Sequence, residues 1–133
     1  MSKKASDLLF GTKNEELALP LIETFLNCKL QKTRNYYISD FVNETHEIEL
    51  KSRRVCHNQY AETKLGNNKI KYFEKSNKQC FIFYYFTDGL FYIQYDKDLF
   101  KTFEVKKDKL IRDGNVSYCN NIYIPIKLLK KVD

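Results

Sequence analysis

Apolar positions along the chain change period several times, and the changes mark out its elements. From Thr12 to about Asn27, residues Glu15, Leu19, Ile22 and Leu26 recur at i, i+4, i+7 and i+11, so all four share one face of a helix. Thr12, with Glu15 three residues later, reads as a capping box that opens this helix. Pro20 sits inside it and removes one backbone bond. Glu16, Pro20, Glu23 and Asn27 form the adjoining polar stripe. Glu16 therefore looks outward, while Glu15 heads the apolar stripe and points at the body of the protein.

Residues Tyr36 to Val42 read as a strand, Asn43 to His46 as a turn, and Glu47 to about Val55 as a second strand. Alternation puts Ile48 and Leu50 on one face and Glu47, Glu49, Lys51 and Arg53 on the other. With a four-residue loop, Val42 pairs with Glu47 and Asp40 falls opposite Glu49. Opposed residues share a sheet face with Cβ atoms about 5 Å apart, unless a bulge alters the register. One register thus gathers Asp40, Glu49 and Lys51.

Beyond this hairpin, "CHNQYAETKLGNN" reads as a loop, and a helix follows from roughly Asn67 to Ser76 with Ile70 and Phe73 inward. The run "QCFIFYYFT" is nearly all apolar, as in a central strand buried on both faces. Asp88-Gly89 reads as a two-residue hairpin turn, with "LFYIQY" the returning strand. The tail holds a strand at "NIYI" and a short basic helix opened by Pro125. The order helix, strand, strand, helix, strand, strand implies an α/β fold with a central mixed sheet flanked by helices, and residues 1–133 form one domain.

Composition adds a direction. A hydrophobic fraction of 43% and an aromatic fraction of 15% belong to a folded protein. The net charge of +6 suits either a polyanionic partner or a lysine-rich solvated surface. Arginine occurs only at positions 34, 53, 54 and 112. Arg53 and Arg54 stand together behind the second strand, where their forked donors suit phosphate. Cys28, Cys56, Cys80 and Cys119 show no CxxC spacing and no apolar leader precedes them, so free thiols in a reducing, intracellular compartment are expected. A zinc site from His46, Cys56 and His57 matches no common ligand spacing. No apolar run is long enough for a membrane helix.

Two carboxylates on adjacent strands repel unless a cation lies between them. Oxygen ligands suit Mg²⁺ or Mn²⁺, and a neighbouring lysine can orient water and stabilise charge on a phosphate. Asp40, Glu49 and Lys51 are thus the parts needed for phosphodiester hydrolysis. Two other Glu-x-Lys copies lack that setting. Glu62-Thr63-Lys64 reads as loop surface, and Glu104-Val105-Lys106 has no capped helix before it and too little chain after it for the same core.

These features resemble the PD-(D/E)xK nuclease superfamily, which includes restriction endonucleases and archaeal-type Holliday junction resolvases. The resemblance runs from Gly11 to Tyr95 and rests on "GTKNEELAL" with Glu15, "ISDFV" with Asp40 and "EIELKSR" with Glu49 and Lys51. Ser39 stands where the motif's proline would be. The resemblance implies a restriction-endonuclease-like core and a Mg²⁺-dependent endonuclease cutting DNA to 5′-phosphate and 3′-hydroxyl ends, in repair, recombination or replication. It implies Asp40, Glu49 and the Leu50 carbonyl as metal ligands, Lys51 as the residue serving the attacking water, and Glu15 as a further ligand or supporting acid. Lys69 is its candidate basic residue from the second helix, and a homodimer cutting two strands is a plausible assembly. Arg53, Arg54 and Lys69 are the expected nucleic-acid contacts. The abundance of Lys, Asn, Ile, Tyr and Phe suits an AT-rich genome such as that of a large DNA virus or phage. Two other readings compete: a nucleic-acid-binding module of the same fold that does not cut, and a structural, partner-binding protein.

Overall fold

The computed structural model describes residues 2–34 and 37–133. Helix α1 spans Lys3–Leu26, so it starts well before the expected capping box. Its first turn is capped twice. The Ser2 hydroxyl accepts from the Ala5 amide at 3.1 Å, and the Asp113 carboxylate accepts from the Lys3 and Lys4 amides at 2.8 and 3.1 Å. Those bonds satisfy donors that a helix leaves orphaned, and Thr12 is left in mid-helix. Pro20 is accommodated on the exposed side, and the helix stops at Asn27, whose φ of 54° is left-handed. Ala18 and Ile22 are fully buried and Leu19 and Leu26 pack beside them, while Glu16 is exposed, as the facing argument requires.

Strands β1 (Gln31–Lys32) and β2 (Phe41–Val42) are short. The strand expected from Tyr36 is thus reduced to its last two residues; Tyr36 lies outside the described residues, and positions 38–40 bend. Strand β3 runs His46–Ser52 and pairs with β2 in the expected register, Val42 with Glu47 and Phe41 with Ile48. The Asn43 Oδ1 closes the turn by accepting from the Thr45 and His46 amides at 2.8 and 2.7 Å. Past Ser52 the chain bends and no longer forms the strand expected to reach Val55.

The presumed loop contains a strand, β4 (Glu62–Gly66), with Thr63 and Leu65 buried and Glu62 and Lys64 exposed. Its alternation is real but only five residues long, and it is secured by pairing with a partner far along the chain. Helix α2 spans Asn67–Lys75 and buries Ile70 and Phe73, as expected. Strands β5 (Gln79–Phe86) and β6 (Gly89–Gln94) form the hairpin, but Phe86 pairs with Gly89, so Thr87-Asp88 make the turn. Gly89 takes φ 144°, which favours glycine there and shifts the turn by one position.

After helix α3 (Lys97–Phe100), a long hairpin joins β7 (Val105–Arg112) to β8 (Asn115–Pro125). Pro125 ends β8 instead of opening a helix: a single 3₁₀ turn at Ile126–Leu128 follows, then β9 (Lys130–Lys131). One sheet has the order β1-β2-β3-β5-β6-β9 and the other β4-β8-β7. In the larger, β3 and β5 are parallel and the remaining neighbours antiparallel. A parallel pair needs a crossover, which β4 and α2 supply.

β5 is buried on both faces, as its apolar run indicated. Phe81 and Phe83 join Ile48, Leu50 and α1; Ile82 and Tyr84 join Leu65, Ile70 and Phe73 beneath α2. By the same alternation, Leu50 faces α1 and Glu49 faces α2. Among the described residues, no helix is long and apolar enough to cross a membrane.

Candidate active site

Glu49 and Lys51 project from the same face of β3, which the two-residue period dictates. Asp40 arrives from the bend before β2, Glu15 from α1 and Lys69 from the first turns of α2. All five line one cleft of about 600 Å³, with Arg112 of β7 on its outer wall.

The β2–β3 ladder stops at Phe41 and Ile48, one pair short of the expected Asp40–Glu49 partnership. The Asp40 amide donates instead to the Ile48 carbonyl at 2.9 Å. Two residues then stand opposite one, as at a β-bulge. The Asp40 carboxylate takes the place of a backbone acceptor: Oδ2 accepts from the Leu50 amide at 2.7 Å. The bulge therefore keeps Asp40 beside Glu49 while fixing its carboxylate on the strand backbone.

Glu49 is 1% exposed. Its Oε1 lies 3.2 Å from the Lys69 Nζ and 3.7 Å from the Lys51 Nζ, while Oε2 has no hydrogen-bond partner among the described residues. Burial and then the neighbouring Asp40 carboxylate push Glu49 up to about 8, against the pull of the two lysines. Glu15 is raised for the same two reasons, burial first, although Lys32 pairs with it at 3.4 Å. Three acids thus form one electrostatic cluster centred on Asp40.

The remaining expected residues fall into two groups. Lys69 is drawn inward, donating to the Ile38 carbonyl and pairing with Glu49, so it belongs to the acid cluster more than to an outer phosphate contact. Arg53 and Arg54 line the cleft but are held by the protein. The Arg53 Nη2 donates to the Lys64 carbonyl at 2.8 Å; the Arg54 Nη1 meets Asp7 at 2.6 Å, and its guanidinium lies 4.3 Å from the Phe10 ring centre. His46 opens β3 while Cys56 and His57 lie past its end, and among the described residues the three form no metal-holding group.

No family model, curated protein or solved structure matches the chain.

Among the described residues, no three His, Cys, Asp or Glu side chains converge closely enough to chelate an ion as they stand. Two carboxylates and a carbonyl nonetheless suit Mg²⁺, which keeps several waters and takes few protein ligands. The orphaned Glu49 Oε2 is the observation that fits: a buried carboxylate oxygen without a partner is costly unless a cation or proton meets it. Leu50 lines the cleft while its side chain packs under α1, so it offers the cleft its backbone.

Two contributors, Asp7 and Arg112, had no role assigned from the sequence. Asp7 bridges Arg54 and Arg112, at 2.6 and 3.1 Å, and both arginines hold its carboxyl below the usual range. Through it the β7–β8 hairpin forms the outer wall. Only the rarity of arginine singled out position 112; nothing local to residue 7 marks its partner.

Proposed function

We propose that the chain is a divalent-metal-dependent endonuclease that hydrolyses DNA phosphodiester bonds. The observation that carries this reading is the buried, half-satisfied Glu49 between Asp40, Lys51 and Lys69 in an open cleft. Asp40, Glu49 and the Leu50 carbonyl would hold the metal, with Glu15 beside Asp40. When bound, the metal lowers the pKa of a water and polarises the phosphoryl group. Lys51, about one-third exposed, is free to orient the attacking water and to offset charge developing on the phosphate. Lys69 holds Glu49 from the protein side and limits its protonation. Arg53, Arg54 and Arg112 keep the cleft walls basic, which draws in a polyanion and makes binding fall with salt.

A second reading is a nucleic-acid-binding module that does not cut. The lack of a closed three-ligand group among the described residues favours it.

One experiment separates them. Linear, nicked and branched DNA are incubated with the protein, with and without Mg²⁺ or Mn²⁺, beside Lys51→Ala. Cutting by the wild type, abolished by Lys51→Ala with folding and binding retained, supports the nuclease. Equal cutting by both proteins rejects this site. Binding without cutting favours the module.

A further inference from the structure

The acid cleft adjoins a second cavity, and Arg53 and Arg54 line both. This cavity has a volume of about 490 Å³, within the roughly 300–1,000 Å³ of small-ligand sites. Val55, Phe86 and Ile126 make it apolar, and Tyr60 lines it with 65% of its surface exposed. Other aromatic rings are exposed as well, Tyr118 among them, but Tyr60 is the one that lines this cavity in the open.

His57 completes the wall in a fixed pose. Its amide and Nδ1 both donate to Asp88, at 2.9 and 2.5 Å, and its ring stacks on Phe91 with centres 4.5 Å apart. With Nδ1 engaged, Nε2 is the ring nitrogen that has no hydrogen-bond partner among the described residues. The arginines are also held in place, Arg53 by the Lys64 carbonyl and Arg54 by Asp7. The cavity thus offers a stacking face, an oriented hydrogen-bonding edge, and a cationic partition leading to the acids. That combination suits a planar heterocycle covalently joined to a phosphate.

We propose that this cavity takes one unstacked nucleobase of a DNA strand whose neighbouring phosphate lies in the acid cleft. The inference rests on the nuclease reading and narrows its substrate. A base inside an intact duplex is stacked and paired and must be turned out to enter a pocket, whereas an unpaired base enters at little cost. The preferred substrates are therefore single strands, flaps or branch points, not unbroken duplex.

The test measures fluorescence anisotropy, in EDTA, with a labelled single-stranded dodecamer and the same backbone made wholly abasic. Both carry the same charge, so the arginines treat them alike. The wild type is expected to bind the base-bearing strand about tenfold more tightly, as one stacked base implies. Tyr60→Ala should erase that preference and Tyr60→Phe, which keeps the ring, should retain it. Equal affinity of the wild type for both strands, or a preference untouched by Tyr60→Ala, overturns the proposal. Cleavage with Mg²⁺ is followed in parallel. A Tyr60-dependent base preference without cleavage upholds the cavity and rejects the nuclease; Lys51-dependent cleavage without base preference does the reverse. No affinity for either strand overturns both.

Discussion

Lys69 brings its Nζ to 3.2 Å from one oxygen of Glu49, while the other oxygen of that carboxylate has no hydrogen-bond partner among the described residues. A charge met at one oxygen and bare at the other makes this carboxylate sensitive to pH and to substitution of its neighbours.

Replacing Lys69 by Met keeps the side-chain length and removes the charge. Glu49 then loses its nearer cation and Ile38 its donor. Urea denaturation is expected to show a loss on the order of 1–3 kcal/mol near pH 8, where the stranded charge is felt. At pH 5, with Glu49 protonated, the loss should be clearly smaller. A loss independent of pH would mean that Lys69 acts through packing alone.

Glu49 also sets a direction for stability against pH. Its carboxyl moves from an ordinary 4.5 to about 8 in the folded chain. Between those values the folded state keeps a proton that the unfolded state releases, so metal-free protein should lose stability as pH rises through that window. Glu49→Gln should flatten this slope, and Mg²⁺ should raise the melting temperature more at pH 8 than at pH 5. Thermal melts in EDTA, with the same pH slope for wild type and Glu49→Gln, would contradict the assignment.

Asp40 is the charge common to both raised acids. In Asp40→Asn, the Glu15 and Glu49 carboxyls should both titrate at lower pH, because a like charge has been removed. Carbon-detected NMR titration of the side-chain carboxyls reads this directly. If neither midpoint moves, the three acids do not form one cluster.

Asp7 links α1 to β7 through Arg112 and to the strand end through Arg54. Asp7→Asn should speed amide hydrogen exchange along Val105–Arg112 and leave that of β5 unchanged, since β5 is anchored in both cores. Faster exchange throughout, or no change in the hairpin, would show that the link does not hold the wall.

The parts of this fold that were legible in the sequence are those whose signal is local. The β5 run, the α2 face with Ile70 and Phe73, and the Val42–Glu47 register follow from periodicity and turn length. Glu15, Glu49, Lys51 and Lys69 reach one cleft from α1, β3 and α2, whose facing local periodicity sets, and Asp40 joins them from the bend before β2. What local pattern cannot carry is pairing at a distance. β4 exists because Thr63 and Leu65 align with Ile124 and Ile122, and α1 extends forward because Asp113 caps it. The Asp40 bulge was hidden differently: its cause is a side chain standing in for a carbonyl, which no propensity records.

The Asp113 cap has a consequence in time. Its partner Lys3 lies 110 positions earlier, and contacts of such separation form late and slowly. During synthesis, the first helix emerges long before the hairpin that caps its amino end and walls its cleft. A ribosome-bound chain can hold α1, β3 and β5 yet lack Arg112 and the latch at Asp113. The cleft therefore gains its outer wall only after the hairpin has been made, so this side of it is the last to take shape.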